Sequence, residues 1–230
     1  MQNQSSLSLT ARFINFSMRS ITDAICDVDA RELIKIPYHG PLIVFVNHIN
    51  FLEVPVVASR LEGRNVSVLA KEETWNNPAL AFLFNSWNGI PIKRGAFDRE
   101  AILLSLKAIE KGNILIVAPE GTRSKDGKLR RGLPGIVLLA LKAKVPLLPL
   151  VYYGGENFWD NISHFQRTKF TIKVGRKFVL QECPNNPDKL VRQQLTDEIM
   201  TELARLLPPS NRGYYKNIGE EPSANLKFID

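Results

Sequence analysis

Leu42-Ile43-Val44-Phe45-Val46 is an unbroken apolar run, and Asn47-His48-Ile49-Asn50-Phe51-Leu52-Glu53 follows it at once. A run this short, continuous rather than alternating and closed by polar residues, reads as a strand buried on both faces of a parallel sheet. Val66-Ser67-Val68-Leu69-Ala70, Ile114-Leu115-Ile116-Val117-Ala118 and Leu147-Leu148-Pro149-Leu150-Val151 repeat the pattern. Helical segments separate them. Residues 97 to 111 place Ile102, Leu103, Leu106 and Ile109 on one face and stop at Gly112, and residues 133 to 143 form a shorter helix before Val145-Pro146. Strands alternating with helices predict an α/β domain, a mainly parallel central sheet flanked by helices.

Outward from this unit, residues 1 to 30 carry Leu9, Phe13, Phe16, Met18, Ile21 and Ile25 beside Arg12 and Arg19. These spacings predict an N-terminal amphipathic helical segment, which either lies on a membrane surface or packs its apolar side onto the main domain. Residues 170 to 180 predict one or two more strands around Gly175. Asn186-Pro187, a cap followed by proline, opens a helix through Leu190, Leu195, Ile199, Leu203 and Leu206 that Pro208-Pro209 ends. The organisation read from the chain is therefore a helical segment over 1–30, an α/β domain over 31–209 and an irregular tail over 210–230.

The 230 residues, 44% hydrophobic, suffice for a real core, and the net charge of +7 points to anionic partners. Nucleic acid is disfavoured, because no reader motif accompanies the charge and the aromatics do not interleave with the basic stretch Lys125, Lys128, Arg130, Arg131. That stretch is either a solvated face or a contact for anionic headgroups or coenzyme A phosphates. Two cysteines, Cys26 and Cys183, with no C-x-x-C spacing support neither a disulfide framework nor a metal site. Lys142 and Lys144 interrupt the longest apolar stretch, residues 136 to 153, so no membrane span is expected. The N-terminus lacks a basic start followed by an apolar block. The expected location is cytoplasmic, peripheral on the membrane face.

In an open α/β sheet, ligands gather beyond the carboxyl ends of the strands. His48 falls there, with Glu53 five positions on, a general base with an acid to orient it. Glu120-Gly121-Thr122-Arg123-Ser124, after the third run, offers backbone N–H groups and a guanidinium for an anion. The stretch Gly89-Ile90-Pro91-Ile92-Lys93-Arg94-Gly95 reads as a short strand that closes with two cations. Together they suggest a hydroxyl activated beside a bound phosphate. Asn50 and Glu53 also fit a helix-capping box, complicated by Pro55, and Glu120 is a second acid able to serve His48. His39 and His164, with no motif around them, read as structural. Trp75, Phe82, Phe84 and Trp87 build either core or the edge of an acyl pocket or membrane contact.

Over roughly residues 35 to 205 the chain resembles the glycerolipid acyltransferases of the 1-acylglycerol-3-phosphate acyltransferase type. Four blocks occur in order. Asn47 to Glu53 stand where the family has N-H-x-x-x-x-D, with glutamate for aspartate. Gly89 to Arg94 match the G-x-x-x-x-x-R block with one residue fewer, and Ala118-Pro119-Glu120-Gly121-Thr122-Arg123-Ser124 match F-P-E-G-T-R-S except at the first position. Val145-Pro146-Leu147-Leu148-Pro149-Leu150 match the V-P-I-x-P-V segment. The resemblance implies acyl transfer from a coenzyme A or acyl-carrier-protein thioester to a lysophospholipid hydroxyl, lysophosphatidic acid first, with no cofactor. It implies His48 as base and Glu53 as the group holding its tautomer. Lys71, Lys93, Arg94 and Arg123 are then the acceptor phosphate's cations, assisted by Glu120, Gly121 and Thr122. No G-x-S-x-G elbow supports a hydrolase, and the other competing reading is a non-catalytic, membrane-associated lipid-binding module of the same fold.

Overall fold

The computed structural model describes residues 9–93, 98–124, 126–181, 187–219 and 221–229. In chain order, α1 (Leu9–Ile25) runs into β1 (Cys26–Asp29), then come β2 (Leu42–Val46), α2 (Glu53–Ala58), β3 (Val66–Lys71), α3 (Pro78–Ser86) and β4 (Ile90–Ile92). The chain continues through α4 (Arg99–Glu110), β5 (Ile114–Val117), α5 (Gly135–Ala143), β6 (Leu147–Tyr153), α6 (Phe158–Ser163), β7 (Thr168–Val174), β8 (Phe178–Leu180), α7 (Lys189–Leu206) and β9 (Leu226–Phe228).

The strands form one sheet in the order β1-β7-β6-β2-β5-β3-β4, with β8 on β6 and β9 on β8. β2, β3, β4, β5 and β6 run parallel, β7 runs antiparallel to β6, and β1 runs parallel to β7. The mainly parallel α/β sheet expected from the apolar runs is the architecture observed. Alternation along β2 explains why the whole run is apolar: Leu42, Val44 and Val46 join the core under α1 and α2, while Ile43 and Phe45 join the core under α4, α5 and α7.

The end of α4 shows how local sequence sets an element's limit. Gly112 takes φ +81°, and the N–H groups of Gly112 and Asn113 donate to the carbonyls of Ile109 and Ala108 at 2.8 and 3.1 Å. This is the paired closure that a glycine beyond the last turn permits.

Three stretches differ from the sequence reading. The helical segment over 1–30 ends in β1, whose four residues are too few for a period and gain their partners from β7, some 140 positions away. The long C-terminal helix begins at Lys189 with Asp188 as cap, its Oδ1 accepting the Val191 N–H at 2.8 Å. Asn186 lies outside the described residues. The tail beyond 209 contributes β9, whose pairing with β8 is equally non-local.

Candidate active site

All five central parallel strands end on one edge, so the loops after β2, β3, β4, β5 and β6 meet there. Asn47 closes β2. Its buried amide donates to the Tyr152 carbonyl at 2.9 Å and accepts the Tyr152 N–H at 3.0 Å, tying the ends of β2 and β6 together. The chain then turns, with the Asn50 side chain accepting the Leu52 N–H at 2.8 Å and donating to the Gly155 carbonyl at 2.9 Å. That turn delivers Glu53 back beneath His48.

His48 Nδ1 lies 2.6 Å from Glu53 Oε2, with the imidazole 16% exposed and the carboxylate 1%. Tyr152 donates its hydroxyl to the same Oε2 at 2.9 Å. The other oxygen, Oε1, accepts the main-chain N–H groups of Ile49 and Asn50. Glu53 therefore both closes the turn and holds the imidazole; the bond from the Asn50 N–H belongs to the turn and not to a capping box, because Leu52 is the cap of α2 and no side chain bonds there. Helix α2 starts at Glu53 itself, which puts Pro55 in the first turn, where a missing N–H breaks no helical bond.

Glu120 serves the backbone. Its Oε1 accepts the His48 N–H and its Oε2 the Arg130 N–H, both at 2.7 Å, while the Ser124 N–H donates to the His48 carbonyl at 2.7 Å. The loop after β5 thus grips the loop after β2 through both peptide groups of His48. Gly121, at φ +66°, turns this loop, and a Cβ there would meet Leu133 Cδ1 at 2.6 Å.

His48, Glu53, Lys93 and Gly121 line a cavity of about 170 Å³ whose walls also include Val46, Val54, Val68, Leu69, Ile116 and Tyr152. An apolar extension continues past Val57 and Ala58. The Lys93 N–H donates to Asp98 Oδ2 at 2.7 Å, which couples the end of β4 to the cap of α4. Lys71 is half-buried at the end of β3, and Thr122 and Arg123 are exposed on the loop after β5; none of the three lines the cavity. Arg94 and Lys125 lie outside the described residues. The arrangement can take a proton at His48 from a group at the mouth of an apolar slot that has Lys93 on its wall.

The family model described as Acyltransferase matches residues 27–153, more than half of the chain. The chain belongs to the acyltransferase family. The chain is 22% identical over 173 residues to the 1-acyl-sn-glycerol-3-phosphate acyltransferase of Bacillus subtilis, covering 75% of this chain and 84% of that one. It is 27% identical over 129 residues to the chloroplastic protein of the same name from Brassica napus, covering 55% of this chain. It spans only 37% of that plant relative's length. The crystal structure of the 1-acyl-sn-glycerophosphate acyltransferase of Thermotoga maritima shares the fold, with a TM-score of 0.62 at 21% identity over 86% of this chain and 80% of that one.

Burial is the largest influence on both of the site's buried carboxyls. Burial pushes Glu53 above the ordinary glutamate range, against the hydrogen bond and charge of His48 and two N–H donors. Burial likewise pushes Glu120 up to about 8, opposed by the Arg130 and His48 N–H groups and reinforced by the neighbouring Glu53 charge. Tyr152 is held well above the usual phenol range by burial and by Glu53, so its hydroxyl stays a donor. The reading of the sequence missed Tyr152, because it sits 99 positions from Glu53 at the end of an apolar strand and carries no motif.

Proposed function

We propose that the protein moves a fatty acyl group from a coenzyme A or acyl-carrier-protein thioester to the hydroxyl of a lysophospholipid, lysophosphatidic acid being the first choice. His48 takes the hydroxyl proton as the oxygen attacks the thioester carbonyl. The tetrahedral adduct collapses with cleavage of the C–S bond, and the leaving thiolate recovers a proton from the imidazolium. Glu53 holds Nδ1–H and so leaves Nε2 as the accepting nitrogen. General-base assistance of this kind contributes about 10²- to 10⁴-fold.

The observation that carries this reading is the 2.6 Å His48–Glu53 contact opening on an apolar cavity with Lys93 on its wall. The relatives' names support the acceptor, and Lys93, Lys71 and Arg123 supply positive charge on the same edge of the sheet for its phosphate. A membrane partner fits the surface: on α1, Leu9, Phe13 and Phe16 are 82%, 70% and 71% exposed, and α3 buries no residue although it reads Pro-Ala-Leu-Ala-Phe-Leu-Phe-Asn-Ser. No helix among the described residues is long and apolar enough to cross a membrane, so the contact proposed is peripheral. The test is acyl transfer from a radiolabelled thioester to a panel of lysolipids with and without phosphate. Wild type should acylate lysophosphatidic acid and His48→Ala should not. A variant turning over within about threefold of wild type overturns the base role, and vesicle binding without any product from wild type would favour the non-catalytic lipid-binding module.

A further inference from the structure

Glu53 is one methylene longer than the aspartate of the motif it resembles, and a longer acid has one more torsion to fix before it can fix anything else. The buried carboxylate has about four acceptor positions, and four donors surround it. Ile49 N–H and Asn50 N–H take Oε1; His48 Nδ1 at 2.6 Å and the Tyr152 hydroxyl at 2.9 Å take Oε2. The two N–H groups belong to the same turn as Glu53 and hold only one end of the carboxylate. Among the described residues, the single contact that reaches Oε2 from a separate element, other than the imidazole itself, is Tyr152.

Tyr152 is built to stay where it is. Its peptide is clamped on both sides by Asn47, its ring packs on Phe170 with centroids 5.8 Å apart, and it is 2% exposed. We propose that Tyr152 is a positioning residue, whose hydroxyl fixes the Glu53 carboxylate ionised and aimed at His48 Nδ1. The inference rests on the proposed role of His48 and adds a third member, placed from β6, to the pair on the loop after β2. The titratable groups facing Glu53 are His48 from that loop, Tyr152 from β6 and Glu120 from the loop after β5, with Lys93 on the cavity wall from the end of β4. Of these, only His48 and Tyr152 contribute side-chain donors to the carboxylate.

Tyr152→Phe in the full chain removes one oxygen and keeps the ring that lines the cavity. Without that donor Glu53 takes up a proton more readily, so the acid limb of the kcat/KM profile should move to higher pH by about one unit, and kcat should fall about tenfold with the acceptor KM little changed. In a Glu53→Gln background the same substitution should cost nothing further, because both act through one carboxylate. An unmoved acid limb, or an equal loss in both backgrounds, overturns the proposal. The low-field proton resonance of His48 Nδ1–H gives a reading that needs no catalysis: it should shift in Tyr152→Phe, and an unchanged resonance overturns the positioning role. Retained turnover in His48→Ala would instead overturn the base reading, so the two failures are told apart.

Discussion

At Glu53 each oxygen has its own partners, which makes the glutamine variant informative. In Glu53→Gln the amide oxygen can keep the two N–H donors, but its NH2 then meets His48 Nδ1 and the Tyr152 hydroxyl as a donor. The imidazole is driven to the wrong tautomer, and kcat should fall about 10²- to 10⁴-fold with little change in KM. Glu53→Asp keeps the charge but shortens the reach, and its turnover should lie between wild type and the glutamine variant; a glutamine variant at full turnover rules the acid out. Glu120 makes a separate prediction, in stability. Its carboxyl sits at about 8 in the folded protein, above its ordinary value of 4.5, so the folded state holds the extra proton between those limits. Stability from this group is complete below about pH 4.5 and falls as pH rises through 8, by about 1.4 kcal/mol per pH unit at most. In Glu120→Gln one of the His48 and Arg130 N–H groups loses its acceptor, at a cost of about 1 to 3 kcal/mol. Thermal melts of both proteins from pH 5 to 8 should show that deficit shrinking as pH rises; a deficit that grows counts against the raised value.

Among the elements, β2 and β6 bear the site between them, and Asn47 is the bolt that joins their ends. Asn47→Ala leaves the Tyr152 N–H and carbonyl without side-chain partners in a buried position, at about 1 to 3 kcal/mol for each unsatisfied group. We expect a lowered melting temperature and an impaired site together, whereas His48→Ala should lose activity with the fold intact; equal melting temperatures for Asn47→Ala and wild type would refute the bolt. The contrast explains what the sequence made legible. The apolar runs 42–46, 66–70, 114–118 and 147–151 announce central strands because a strand buried on both faces must be apolar throughout. Those strands then set where His48, Lys71 and Glu120 fall along one edge, and the short strand β4 adds Lys93 to it. The contacts that decide roles were not legible, since Tyr152 to Glu53 and Asn47 to Tyr152 are fixed by sheet order rather than by spacing, and Glu120 to Arg130 by the path of one irregular loop. Edge strands β1 and β9 escaped notice for the same reason, being too short for a period and completed by partners far along the chain.

On the scale of the molecule, one sheet separates two differently covered faces. Helices α4, α5 and α7 enclose an apolar core and expose single leucines, Leu103 on α4 and Leu190 on α7, whereas α1 and α3 present several large apolar side chains each: Phe13, Phe16 and Leu9 on α1, Leu80 and Phe82 on α3. Helix α1 is nonetheless anchored, with Ile14 buried and Asn15 accepting the Trp87 indole N–H at 2.8 Å, so its exposed row is a built surface on a docked helix. On the proposed function the acceptor is drawn from a bilayer, and the exposed row of α1 is the surface proposed to rest on it. Phe13→Ser combined with Phe16→Ser changes only exposed positions and should leave the unfolding free energy within about 1 kcal/mol of wild type. It should weaken co-sedimentation with phosphatidic acid-containing vesicles about tenfold or more, since each phenylalanine side chain withdrawn from water is worth about 1.5 to 3 kcal/mol when fully buried. High salt should weaken binding of both proteins by a similar factor, because the charges remain. Transfer to a lysolipid offered as monomers in detergent should be spared, while transfer to one embedded in vesicles should fall with binding. If the double variant sediments like wild type, the exposed row of α1 is not the membrane contact, and α3, through Leu80 and Phe82, becomes the surface to substitute.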